Sequence, residues 1–200
     1  METFSTIENR RSIRHFDPST NMPEEDFNKM MSAVILSPTS FNIQHWRFIR
    51  VVDPKVRAAI KAAAMNQEQV TDAAELIVMC ANINAWQESP ERYWSNAGEE
   101  AQNTLLPMLY DFYTEKPQLQ RDEALRSSAI AAQTLMLAAK ALNYDSNPMI
   151  GFDAEEVAKI IKLPEHHLIS MLIAVGKAKE PANVRGGQLQ LSEVLMVDSF

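Results

Sequence analysis

The run ELIVMCA at residues 75–81 leaves this chain few ways to fold. Short, nearly continuous apolar segments of this kind are typical of central strands, covered by other elements on both faces. HLISMLIAVGKA at 167–178 begins in the same way and breaks at Gly176, whereas WRFIRVV at 46–52 alternates apolar and charged residues like a half-buried strand. Between these runs, sequence patterning predicts helices over 3–11, from Pro23 to a stop at Pro38, over DPKVRAAIKAAA, over 84–116 and over 122–142. A last helix, FDAEEVAKIIKL, is capped by Asp153. After Arg126 the 122–142 helix is apolar or small on nearly every face, which predicts burial on all sides. The expected product is one α+β domain over residues 1–200, with a mixed sheet and helices on both faces.

Charge removes several classes of partner. Asp and Glu number 26 against 19 Lys and Arg, a formal net charge of −7. That balance argues against nucleic acid, which needs a broad basic face, and against anionic membrane surfaces. No apolar run approaches the ~20 residues that span a bilayer. A single cysteine, Cys80, provides neither a disulfide framework nor a thiolate metal cluster, and its place inside the apolar run reads as inert packing. The first 25 residues are charged throughout and lack the apolar core of a signal peptide, so the expected setting is a reducing cytoplasm.

The familiar chemical motifs are missing. No GxGxxG or GxxxxGK[ST] signals a dinucleotide or phosphate-cradling turn, no HExxH signals zinc, and no GxSxG marks a nucleophile. Adjacent His166 and His167 point in different directions and do not suit a shared metal, so no metal site is expected. If the chain is an enzyme, its reactive atoms are not its own.

Three segments carry more. ENRRSIRHFD at 8–17 places Arg10, Arg11 and Arg14 within five positions, with Ser12 between them. Two guanidinium forks and a hydroxyl suit a terminal phosphate; the alternative is a solvated basic turn pairing with the surplus acids. SPTSFNIQHW at 37–46 offers uncharged donors between a helix stop and a strand, suited to a polar heterocycle edge or to an ordinary connection. NPMIGFD at 147–153 puts Pro148 and Gly151 around a tight turn where backbone can approach a ligand closely, although such turns are common before helices.

Taken in order, RRSxR, SPTSxNxQxW and PMxGFD resemble the pattern of the FMN-dependent nitroreductase family, over roughly residues 3–195. The stretch RDEALRSSAIAAQTLMLAAKALNYDSNPMIGFD is similar to that of the short bacterial NAD(P)H nitroreductases. The resemblance implies a nitroreductase-like fold with a mixed, mainly antiparallel sheet and an intertwined dimer. It implies a variable helical insert at 85–120 near the active site and a tail at 186–200 packing on the partner subunit.

It also implies roles for particular residues. Arg10, Ser12 and Arg14 would grip the FMN phosphate, Arg11 would add backbone or charge, and Arg185 would join them from the tail. Pro38, Thr39, Ser40 and Asn42 would reach the flavin from the partner subunit. Backbone amides at Ile150 and Gly151 would face N5 and O4, Pro148 and Met149 would pack on the ring, and Asn66 and Gln69 would meet the pyrimidine edge. Three positions depart from the pattern: Ile150 stands where many relatives have glutamate, Gln69 where some have lysine, and His45 where proline is frequent. Neutral Gln69 implies a somewhat lower flavin redox potential.

The implied activity is two-electron reduction of nitroaromatics or quinones by NADH or NADPH, in a ping-pong cycle at flavin N5. No catalytic side chain is assigned, since solvent can supply protons. The aromatic stretch from Trp86 to Tyr113 could wall the acceptor pocket or simply cover the core. Enone reduction, reductive dehalogenation, FMN storage without turnover, and a flavin-free phosphate-binding protein are the competing readings.

Overall fold

In the computed structural model, which describes residues 2–200, every residue of strand β2 (Glu75–Asn82) is buried. Its side chains alternate between two cores, Ile77 and Met79 entering one and Leu76, Val78 and Cys80 the other. This is why the segment reads as a continuous apolar run. Strands β1 (Trp46–Arg50) and β4 (His167–Gly176) flank it, and β3 (Asp145–Met149) pairs with β4, giving the order β1-β2-β4-β3. All three pairings are antiparallel, with Ile77 opposite Ile173 and Val78 opposite Leu172. Among the described residues, the parallel element of the sheet is one isolated bridge, Ser12 to Ser146.

Helices cover both faces. Helices α2 (Glu24–Val34) and α6 (Pro117–Ala141) bring Met30, Val34, Leu135 and Ala139 onto Ile77, Met79 and Ile173. Helices α3 (Pro54–Ala63), α4 (Gln69–Asp72) and α7 (Ala154–Ile160) bring Ile60, Val70 and Val157 onto Leu76, Val78 and Leu172. Each such fully buried aliphatic side chain stabilises by about 1.5–3 kcal/mol. The helix starts follow local chemistry. Glu24, Glu25 and Asp26 occupy the first turn of α2, Asp53 caps α3 through the Lys55 amide at 2.7 Å, and Asp153 caps α7 through the Glu156 amide at 3.0 Å.

Several expected elements differ. The first helix, α1 (Thr3–Asn9), stops before the arginines, and Arg10 is extended. The helix expected over 84–116 divides into 3₁₀ turns at 83–87 and 90–94 and helix α5 (Gly98–Tyr113), because Ser89 adopts φ 49° and Pro90 has no amide to continue the ladder. Helix α6 begins at Pro117, whose missing N–H costs nothing in a first turn. It is not buried all round: its buried stripe runs from Glu123 to Ala139, and Ile130 is 38% exposed on the other side. Residues 145–149 form an edge strand that takes in Asn147 and Pro148 from the turn expected over 147–153, and an edge is where a strand tolerates Pro148. The short helix α8 (Leu191–Val194) lies in an exposed tail. Among the described residues, no helix is long and apolar enough to cross a membrane.

Candidate functional site

The arginine segment runs beside the edge strand. The Ile13 amide donates to the Ser146 carbonyl at 3.0 Å, and Asn147 Nδ2 donates to the Ile13 carbonyl at 2.6 Å. Ile13 enters a small core with Phe16 and Ala174, and its neighbours Ser12 and Arg14 are exposed. Arg10 and Arg14 therefore do not share a helix face: Arg10 is extended, and Arg14 sits exposed at a bend just past Ser12 and Ile13.

The tail closes over this segment. Arg185 Nη2 donates to the carbonyls of Glu8 at 2.9 Å and Arg10 at 3.3 Å, and Arg11 donates to the Asn183 carbonyl. Arg10, Arg185 and Gln133 line one cavity, of about 470 Å³, while Ser12 and Arg14 line another, of about 90 Å³, with Glu180 to Asn183. Burial lowers the pKa of Arg10, and the like charges of Arg185 and Arg11 lower it further. Among the described residues, none of Arg10, Arg11, Arg14 and Arg185 pairs with a carboxylate. Guanidinium groups clustered without ion pairs repel one another until an anion arrives, and a phosphate monoester fits.

At the far end of β3, the side chain of Met149 is 5% exposed and sits in the core with Ile60 and Val157. Alternation along the strand sends it inward, which leaves its backbone to meet a ligand. Ile150 is 81% exposed. A Cβ placed on Gly151 would meet only Gln67 Nε2, at 3.7 Å, so the space over this backbone is open to a flat group. Gln67 was not anticipated. Its Nε2 donates to the Gly151 carbonyl at 2.9 Å, and its Oε1 accepts from buried Gln69 at 2.9 Å. Asn66 is exposed on the same loop with φ 56°. The sole hint in the sequence was the amide-rich NQEQ at 66–69.

The loop at 37–45 lies elsewhere. Ser37 Oγ donates to Thr134 Oγ1 at 2.8 Å, the Ser40 amide to buried Glu123 at 3.3 Å, and Asn42 Nδ2 to the Tyr93 carbonyl at 2.7 Å. Thr39 Oγ1 accepts from the Gln44 amide at 3.1 Å. These bonds hold a backbone with positive φ at Phe41, Asn42 and Gln44. Pro38 and Asn42 are exposed. Among the described residues, no hydrogen bond or shared cavity links 38–42 to 10–14 or to 148–151 within one chain. His45 is fully buried with Nδ1 at 3.1 Å from the Asn82 carbonyl, and burial lowers its pKa. Burial likewise pushes the Cys80 thiol up to about 12, which suits inert packing.

The aromatic stretch forms a core of its own. Trp86, Tyr93, Leu109 and Tyr113 are buried together with Ile43, and Trp86 stacks on Tyr113 with ring centroids 6.0 Å apart. Tyr110 and Phe112 are 41% and 44% exposed, leaving those two rings for a wall.

A family model described as the nitroreductase family matches residues 7–177. Protein DrgA of Synechocystis is 50% identical over 182 residues, covering 91% of this chain and 87% of that protein. MhqN of Bacillus subtilis, provisionally named an NAD(P)H nitroreductase, is 32% identical over 197 residues, covering 94% of each chain. A provisionally named nitroreductase of Exiguobacterium sibiricum, solved in complex with FMN, shares the fold at a TM-score of 0.91 and 24% identity, covering 98% of this chain and 97% of that one.

Proposed function

Because this chain belongs to the nitroreductase family, we propose that it is an FMN-dependent oxidoreductase using NAD(P)H to reduce quinones or nitroaromatics. FMN, when bound, supplies a ring that accepts and returns two electrons. The observation that carries the reading is the cluster of Arg10 and Arg185, which forms no carboxylate pair among the described residues and is joined through the Ser12–Ser146 bridge to the strand that ends in the open backbone at 150–151. A phosphate grip and a flat, open backbone at two ends of one strand suit FMN.

The roles divide among the residues. Arg10, Ser12, Arg14 and Arg185 hold the phosphate, and Arg11 adds charge while its side chain fixes Asn183. Pro148 and the backbone of Met149, Ile150 and Gly151 support the ring, held in place by Gln67. Asn66 meets the pyrimidine edge, and Gln69 acts by fixing Gln67. The donors named there, Asn66, Gln67 and Gln69, are neutral amides, so they give the reduced, anionic ring little stabilisation and its potential is low.

Pro38, Thr39, Ser40 and Asn42 act in trans in this reading, across a homodimer interface. Two features support a dimer. In the tail, Leu189, Leu191, Val194, Leu195 and Val197 are 56–80% exposed, and on α1 and α6 so are Phe4, Ile7 and Ile130 to 38–72%. Burying each such side chain contributes about 1.5–3 kcal/mol. Exposed apolar surface on this scale marks an interaction site.

Heat-released cofactor compared with FMN and FAD standards tests the cofactor, and anaerobic NADH or NADPH added to the holoprotein tests the donor. FMN release and loss of the oxidised flavin colour are expected. A protein that stays colourless after incubation with FMN would overturn the reading.

A further inference from the structure

Ten arginines serve this chain, and eight have evident work. Arg10, Arg11, Arg14 and Arg185 form the cluster described above. Arg50, Arg121 and Arg126 pair with carboxylates. Arg57 is enclosed by the carbonyls of Val51, Ala73 and Ala74. Arg47 and Arg92 remain, and they line the same cavity, of about 460 Å³, with Gln44 and Tyr93.

Neither is paired with an acid among the described residues. Arg47 is aimed by its own loop: Nη1 donates to the carbonyls of Gln44 at 3.0 Å and Trp46 at 2.7 Å, which leaves Nε and Nη2 open. Arg92 Nη2 touches the Tyr93 hydroxyl at 3.1 Å and is otherwise exposed. That bond, together with the more distant Glu88 and Glu91, keeps Arg92 cationic. Glu88 is itself held by Asn82 Nδ2 at 2.8 Å and does not cover the arginine.

The cavity continues. A second one, of about 400 Å³, shares Gln44, Arg92 and Tyr93 and extends to Asn42 and Trp94. A groove thus runs from Asn42 past a partly exposed indole to two unpaired guanidinium groups. In the proposed function Asn42 lies against the partner subunit's flavin. A reduced nicotinamide placed at that flavin carries a pyrophosphate and an adenosine that need a site outside the ring stack.

We infer that Arg47 and Arg92 bind the pyrophosphate of the reduced nicotinamide dinucleotide, with Trp94 beside its adenine. This inference rests on the proposed function for the identity of the donor. Two guanidinium groups match two adjacent phosphates, and an indole face and side-chain amides match a purine. Arg47 and Arg92 are therefore specificity residues for the donor and contribute nothing to the acceptor.

ADP-ribose, which has the pyrophosphate and adenine but no reducing ring, is the probe. Calorimetric titration of the flavin-loaded protein should show binding that weakens at least about tenfold in Arg92→Ala and again in Arg47→Ala, with partial recovery in the lysine variants. The KM for NADH should rise by the same factor while the KM for a neutral quinone stays put. Arg92→Ala breaks one part-buried hydrogen bond of an exposed side chain and is the safer variant for folding; the lysine variants keep the charge if Arg47→Ala does not fold. No ADP-ribose binding to the unaltered protein, equal binding by the variants, or a rise confined to the KM of an anionic acceptor would each overturn the inference. Because ADP-ribose carries no electrons, the same titration of the protein without flavin reports on the groove even if the FMN assignment fails.

Discussion

Gln67 Nε2 donates to the carbonyl of Gly151 at 2.9 Å, tying the loop after α3 to the loop after β3. The same side chain accepts from Gln69, whose amide is 5% exposed. Gln67→Ala leaves that buried donor without a partner, which costs about 1–3 kcal/mol. A urea denaturation midpoint should fall accordingly, and flavin should dissociate faster because residues 150–151 lose their tether. An unchanged midpoint would show that water replaces Gln67 without penalty.

Arg185→Glu should abolish stable FMN binding and leave secondary structure intact. The substitution removes one cation from the cluster and adds an anion beside Arg10. Charge-assisted bonds contribute about 1.5–3 kcal/mol each, so the dissociation constant should rise at least about tenfold. Arg14→Glu should behave alike. Fluorescence titration of the apoprotein with FMN measures both, and variants that purify yellow would return the cluster to a solvated turn.

His45 predicts an acid sensitivity of stability. Burial depresses its folded-state pKa below the ordinary 6.5, so the unfolded chain binds a proton first as the pH falls. Stability from this residue is complete above about pH 6.5 and is lost as the pH drops from there toward the folded pKa. His45→Gln should flatten the change in urea midpoint between about pH 7 and pH 5. A slope unaltered by the substitution would place the sensitivity on another group.

Steady-state kinetics should give parallel double-reciprocal plots. The chain has five glycines and no glycine-rich strand-to-helix turn, so no separate dinucleotide fold holds the nicotinamide away from the acceptor. Two planar rings cannot occupy one exposed face together, and the arginine groove holds only the phosphate end of the donor. Intersecting plots would mean a ternary complex and a second ring site.

Removing residues 188–200 should convert the proposed dimer to monomer or aggregate. Leu189, Leu191 and Val197 are 69%, 69% and 80% exposed, and their burial is the driving force available to the tail. Light scattering of the truncated protein decides the matter. A truncated dimer that keeps its flavin would assign the interface to α1 and α6 instead.

The sheet was legible wherever burial on both faces wrote an unbroken apolar run, as in Leu76 to Ala81. It was not legible at β3, because Asp145, Ser146, Asn147 and Pro148 all favour turns, and only the partners Ile173 to Gly176 on one side and Ser12 on the other make them a strand. The arginine motif was found from its composition, but its extended backbone depends on the distant Ser146 and Asn147, which no local signal announces. Gln67 stayed hidden between Asn66 and Gln69 because which amide of a polar loop turns inward is decided by the element that meets it. Likewise, the burial of Glu123 depends on the Ser40 amide, 83 positions away, which no helical pattern announces.

The contact between Arg185 and Arg10 also orders events in time. The residues are 175 positions apart along the chain. Residues 183–200 are exposed and enter none of the buried cores, so β2 and its neighbours hold together without them. The anion grip, held by an exposed tail, is therefore the first part to open. Phosphate would hold the tail closed as much as the tail holds phosphate, and amides at 180–190 should exchange hydrogen faster than those of β2 until the cofactor binds.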